Sequence, residues 1–203
     1  MSSPYDGKPE DEWKNITTQL INDHPLKSDQ IVETILEVWD WIFESKIGSF
    51  IIGRDILPSP QIMSFLLHEL IALKLTHDDP SLWKKGVNSD EKDLVCLTND
   101  MFSIEIKASS DKKHVFGNRS YAQPSSTSRK SKSGYYLTIN FQKFPQQPPV
   151  GHERPKINMI RFGYIEHTDW IPQGSPSGQQ SRLSPSVYEN KLCILYQLES
   201  LKK

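Results

Sequence analysis

Asp93, Glu105 and Lys107 are three residues whose types and spacing could do chemistry. The run from Phe102 to Lys107 alternates apolar and polar residues, the period of a strand. In such a strand Phe102, Ile104 and Ile106 share one face, and Ser103, Glu105 and Lys107 share the other. A carboxylate and an ammonium two residues apart then project into the same space. Asp93 precedes Glu105 by twelve positions, at the start of the apolar run Asp93-Leu-Val-Cys-Leu. If the two strands pair through the turn at Thr98–Met101, Asp93 can approach Glu105. Two adjacent carboxylates repel unless a cation lies between them. A hard oxygen set with no nearby His or Cys favours Mg²⁺. The Ile106 carbonyl, on the same strand end, is a further oxygen ligand in this reading. Such a site suits phosphodiester hydrolysis. The ion polarises the phosphate and acidifies a water, and Lys107 orients or deprotonates that water and neutralises developing charge. An isolated Glu-x-Lys on an exposed strand face is ordinarily only a salt-bridging pair, so the rest of the chain has to support the chemistry.

The elements that must position these residues are helices first, then strands. Residues 1–8 read as a disordered tail. Residues 9–23 form a short helix with Trp13, Ile16, Leu20 and Ile21 on one side. A second helix starts at a Ser28 cap and carries a wide apolar stripe, Ile31, Ile35, Val38, Trp39 and Ile42. That stripe is either core or a dimer seam. A third helix runs from about Pro60 to Leu75, with proline suited to its first turn. After it the period changes. Strands follow at Asp93–Leu97, Phe102–Lys107, Gly134–Phe141 and Ile157–Glu166, then a last strand or helix start at Lys191–Gln197, with residues 109–133 and 172–186 as loops. The fold class is α/β or α+β. The division is a tail (1–8), an N-terminal helical part (9–58) and a core bearing the chemistry (59–203).

Charge is distributed unevenly. The 203 residues carry a net charge of −1, yet between Lys107 and Lys132 seven Lys and Arg side chains stand against Asp111 alone. A local basic block on an otherwise acidic chain suits a polyanion bound at one place. Arg suits guanine, and Asn or Gln suits adenine. Asn118, Arg119, Ser120, Tyr121 and Gln123 directly follow the alternating strand and are expected to touch DNA. Their other reading is a loop packed through Phe116 and Tyr121. Lys112, Lys113, Arg129, Lys130 and Lys132 are candidates for phosphate contact or for a flexible arm. Gln180 and Arg182 belong to a second polar cluster that either reads bases or covers surface. His114, seven residues beyond Lys107, is set aside as a base, and the six histidines show no metal-ligand spacing. No apolar run reaches the ~20 residues of a membrane span, and no P-loop or nucleophile motif is present. The polar, acidic N-terminus is unlike a signal peptide, and the two cysteines read as free thiols, so a cytoplasmic protein is expected.

Asp93 with Glu105-Ile-Lys107 resembles the PD-(D/E)xK nuclease motif, with Lys92 where a proline is frequent. The runs IEIKASSDKKHVFGNRSYAQ, SGYYLTINFQKF, RFGYIEHTDW and SGQQSRL are similar to type II restriction endonucleases of the ScaI type, over about Leu66–Tyr196. That resemblance implies a central mixed sheet flanked by helices. It also implies a homodimer, and Mg²⁺-dependent cleavage of double-stranded DNA at a short palindromic site. A cognate DNA methyltransferase is expected in the same system, with no direct binding implied. Many relatives add an acidic helix residue at the metal site. Glu69 in the third helix is the candidate, against an ordinary salt bridge, and its neighbour His68 is read as surface or structural. Two other readings stay open: a structure-specific repair or recombination nuclease of the same superfamily, and a non-catalytic DNA-binding module.

Overall fold

The structure, a computed structural model, describes residues 3–122, 131–144, 153–175 and 178–201. Helices α1 (Glu10–Asp23), α2 (Ser28–Glu44) and α3 (Pro60–Asp78) come first, with a two-stranded hairpin β1 (Lys46–Ile47) and β2 (Phe50–Ile51) between α2 and α3. Among the described residues nine strands follow: β3 (Trp83–Lys85), β4 (Leu94–Cys96), β5 (Ile104–Ser109), β6 (Phe116–Asn118), β7 (Gly134–Phe141), β8 (Ile157–Ile165), β9 (Trp170–Pro172), β10 (Gln180–Leu183) and β11 (Leu192–Gln197). Helix α4 (Pro185–Asn190) precedes the last. The protein is therefore α+β, built on a six-stranded sheet in the order β11-β8-β7-β5-β4-β3. The β5–β7 pair is parallel and the others are antiparallel, so the sheet is mixed as expected.

Strand register divides the sheet into two chemically different faces. Ile104, Ile106 and Ala108 lie beside Tyr135, Leu137 and Ile139, which lie beside Tyr164, Phe162 and Ile160. This face joins the α2 stripe and Met63, Leu67 and Ile71 of α3 in one apolar core. Burying a side chain of that size contributes about 1.5–3 kcal/mol. The α2 stripe is thus core and not an exposed seam: Ile31, Ile35, Val38, Trp39 and Ile42 are all buried. The N-terminal helices share that core with the strands. Helix α2 begins one residue earlier than a Ser28 cap would place it. Lys27 takes the cap position, its N–H donating to the Gln30 side chain at 3.0 Å. Ser59 caps α3 with its side chain, and Pro60 takes the first turn.

A structureless tail over residues 1–8 is not what the described part of it shows. Tyr5 is buried, its hydroxyl 2.8 Å from Thr17 Oγ1 and donating to the Tyr164 carbonyl at 3.3 Å. The segments read as loops at 109–133 and 172–186 contain β6 and β10, which pair antiparallel and, with β9, form a second three-stranded sheet. Cys96 and Cys193 are free thiols, the first buried and the second half-buried. No described helix is long and apolar enough to cross a membrane.

Candidate active site

The turn between β4 and β5 is made by short polar side chains. Asn99 accepts from the Met101 N–H, Asp100 accepts from the Ser103 hydroxyl, and Ser103 accepts from the Cys96 N–H. Past this turn the strands pair at one position only, Leu94 with Ile104. They then splay apart. The Ile106 N–H, which has no strand partner on that edge, donates to Asp93 Oδ2 at 2.7 Å. The backbone of Asp93 is fixed on its other side, its carbonyl accepting from Gly86 N at 3.0 Å. A side-chain carboxylate thus enters the gap between the strands and takes the place of a ladder carbonyl. In a strand the N–H and C=O of one residue point to the same edge, so the Ile106 carbonyl opens into the same gap.

Glu105 and Lys107 project from the sheet face opposite the helical core, as alternation requires. Glu105 is 3% exposed. Lys107 Nζ donates to Glu105 Oε1 at 2.7 Å and to the Ile106 carbonyl at 3.2 Å. The Tyr121 hydroxyl also donates to Glu105 Oε1. Burial, reinforced by the negative charge of Glu105, pushes the Tyr121 phenol far above its ordinary range, so it stays a proton donor. The ammoniums of Lys107 and Lys132 lie 4.8 and 4.7 Å from the Tyr121 ring centroid. The site is therefore two carboxylates, a backbone carbonyl and an ammonium, with a phenol bracing the inner carboxylate.

Two neighbouring residues of α3 take different partners. Glu69 forms an ion pair with Lys85 of β3. His68 is the α3 side chain beside Asp93, its Nδ1 3.7 Å from Asp93 Oδ2. Burial lowers the His68 pKa, opposed by the Asp93 charge and assisted by Lys107. Among the described residues no three His, Cys, Asp or Glu side chains converge into a complete metal-binding group. Asp93, Glu105 and the Ile106 carbonyl form a partial, all-oxygen set. That suits Mg²⁺, which commonly takes one or two carboxylates and completes its shell with water and substrate phosphate.

The same polar face extends across the sheet. Lys107, Thr138 and Arg161 form one transverse row. Arg161 is buried, donates to Asn140 Oδ1 at 3.0 Å and lies under the Tyr188 ring. Asn140 in turn donates to the Asp111 and His114 carbonyls, both at 2.9 Å. This pair anchors the loop that carries Lys112 and Lys113, both exposed.

The second sheet joins two clusters that are separate in the sequence. Gln180 pairs with Asn118 and Arg182 with Phe116, and all four are exposed. Gly117, Ser181 and Leu183 point the other way, into a small core with Trp170. Asn118, Gln180 and Arg182 therefore stand on one open face. Arg119 is used within the protein: its guanidinium donates to the Ser175 and Gly178 carbonyls at 3.1 and 3.2 Å. Ser120 is exposed. Tyr121 faces inward and braces Glu105, a role its place in a polar, basic run does not announce. Gln123, Arg129 and Lys130 lie outside the described residues.

Comparison with known proteins gives two matches. A family model described as ScaI restriction endonuclease matches residues 3–196. The type II restriction enzyme ScaI of Streptomyces caespitosus is 46% identical over 196 residues, which cover 96% of this chain and 85% of that protein.

Proposed function

The chain belongs to the ScaI restriction endonuclease family, and from that premise we propose a type II restriction endonuclease whose cutting centre is Asp93, Glu105 and Lys107. Its substrate is double-stranded DNA at a short palindromic site, and its reaction is Mg²⁺-dependent phosphodiester hydrolysis. The observation that carries the reading is Asp93 bonded to the Ile106 N–H between splayed strands, with Glu105 and Lys107 adjacent on the polar face. Asp93, Glu105 and the Ile106 carbonyl would hold the ion, which when bound polarises the scissile phosphate and acidifies an attacking water. Lys107 moves from the Glu105 carboxylate toward the phosphate, orients or deprotonates the water, and offsets charge as it builds on phosphorus. His68 adjoins Asp93, and Glu69 contributes through Lys85 and β3 rather than as a direct ligand.

Reading is assigned to the exposed face of the second sheet. Asn118, Gln180 and Arg182 have the donor and acceptor groups that base edges require. Lys112, Lys113 and Lys132 supply phosphate contacts. A palindromic site calls for a two-fold protein, hence a homodimer. The enzyme acts in the cytoplasm beside a methyltransferase that protects host sites without needing to bind it.

The test is a plasmid digest with Mg²⁺, followed by sequencing of the fragment ends. Discrete fragments with a common terminal sequence are expected. Glu105→Ala or Lys107→Ala that still cuts overturns the assignment. A smear or branch-specific nicking points to a nuclease that cuts by structure. Duplex binding indifferent to EDTA, with no turnover in any divalent metal, points to a binding module.

A further inference from the structure

We infer that Tyr121 is a positioning residue for the cutting centre, holding the Glu105 carboxylate and the Lys107 ammonium in place for a divalent cation. The inference rests on the assignment of Glu105 as a cation ligand. Three observations carry it. The Tyr121 hydroxyl donates to the same Glu105 oxygen that accepts from Lys107. The Tyr121 ring carries the Lys107 ammonium 4.8 Å from its centroid, a contact of the kind that attracts cations to aromatic faces. The ring itself is immobilised, 9% exposed, tilted against Trp170 at a centroid distance of 5.4 Å.

One side chain therefore fixes both halves of a Glu-x-Lys pair. A strand alone does not do so: Glu and Lys have three and four rotatable bonds, and ordering such chains costs on the order of 1–2 kcal/mol each. A phenol that donates to a metal-binding carboxylate fixes its orientation, the role that partners behind a ligand play in metal sites. Tyr121 also lies three residues beyond the end of β6, in the 3₁₀ turn Arg119–Ala122. The brace on Glu105 is thus covalently attached to the sheet assigned to reading, so a shift of that sheet on DNA is felt at the carboxylate.

The decisive comparison is Tyr121→Phe against Glu105→Gln, with Ca²⁺ as the probe. Ca²⁺ affinity is measured by calorimetry on the full-length protein bound to a cleavable duplex, together with the Mg²⁺ midpoint of single-turnover cleavage. Loss of a partner behind a ligand weakens cation binding about 10–100-fold. Tyr121→Phe is expected to weaken Ca²⁺ about tenfold and to raise the Mg²⁺ midpoint similarly. Tyr121→Leu, which removes the ring as well, should do at least as much. Wild-type Ca²⁺ affinity in Tyr121→Phe, with loss in Glu105→Gln, overturns the positioning role and leaves the site intact. Unchanged Ca²⁺ affinity in Glu105→Gln refutes the site itself. Weakened metal-free duplex binding in Tyr121→Phe, with Ca²⁺ affinity intact, makes Tyr121 a DNA contact and also overturns the inference.

Discussion

Asp93 has two duties, and they can be separated by substitution. Its carboxylate accepts the Ile106 N–H, a backbone donor in a strand residue that is fully buried. It is also the proposed ion ligand. Asn retains an oxygen acceptor but not the charge, so Asp93→Asn should keep its melting temperature close to that of the parent and lose cleavage. Asp93→Ala removes the acceptor as well. An orphaned buried donor costs about 1–3 kcal/mol, and thermal unfolding should show that loss only in the Ala variant. Equal stabilities in the two variants would mean that water replaces the carboxylate. The sequence predicts Asp93, Glu105 and Lys107 because strand alternation and a twelve-residue separation are local patterns. It does not predict the bond from Tyr121 to Glu105, because a phenol sixteen residues from its carboxylate follows no period. Lys85 as the partner of Glu69 is hidden for the same reason. The contact of His68 with Asp93 is hidden too, because the two residues lie twenty-five positions apart on elements of different period.

The long elements follow from patterns that the sequence shows openly. Helices α1 and α2 and strands β5, β7 and β8 show a clear period, α3 is marked by its proline start and apolar length, and each is found within a few residues of its expected span. The second sheet is missed because β6 and β9 have three residues each and β10 four, too few to display a period. Its pairing, moreover, joins segments about sixty positions apart. Two predictions belong to this scale. Asn140 connects buried Arg161 to the loop ahead of β6, and hydrogen bonds to charged groups are worth about 1.5–3 kcal/mol. Asn140→Ala should lower stability by roughly that amount and speed amide exchange across residues 111–115, with hydrogen-exchange mass spectrometry as the check. The second concerns the α1–α2 corner. His24 Nδ1 accepts from the Leu26 N–H at 3.1 Å, which leaves Nε2–H to donate to the Phe102 carbonyl at 3.1 Å. Burial among aromatic rings lowers its pKa to about 4. An unfolded histidine titrates near 6.5, so between that pH and about 4 the unfolded chain binds the extra proton. The contribution of neutral His24 is therefore complete above pH 6.5 and is lost as pH falls toward 4, by roughly 3 kcal/mol. Urea unfolding of His24→Gln should show a shallower loss of stability over that window.

Taken whole, the molecule sets its apolar sheet face against helices and its polar face against the second sheet, so the residues proposed to cut and those proposed to read share one side. Lys107, Lys112, Lys113 and Lys132, the described lysines of the basic block, belong to β5 and to the segments that border the polar face, while the chain as a whole is slightly acidic. DNA affinity should therefore fall steeply with salt, and Lys113→Ala should reduce the slope of log affinity against log salt by about 1 with no change in site preference. A slope identical to wild type would remove Lys113 from the phosphate contacts. Sedimentation equilibrium should give the mass of two 23.4 kDa chains. The α2 stripe is excluded as the contact by its burial. Large apolar side chains do remain exposed elsewhere, among them Ile47 and Phe50 on the β1–β2 hairpin and Ile62 and Phe65 on α3.

The two ends of the chain are fastened to each other. Tyr5 bonds to the backbone of Tyr164 in β8, and Thr17 Oγ1 donates to the Asn190 carbonyl, 173 positions away. Strand β5, which bears Glu105 and Lys107, pairs along its length with β7, which pairs in turn with β8 and then β11. Contacts this remote form late, because long loops must close before they stabilise anything. Until β11 has been made, the sheet that carries Glu105 and Lys107 lacks an edge strand, and Thr17 lacks the Asn190 carbonyl it bonds in the folded chain. A chain cut short before β11 is therefore expected to cleave no DNA and to be digested faster than the whole chain, which limited proteolysis of the truncated protein would show.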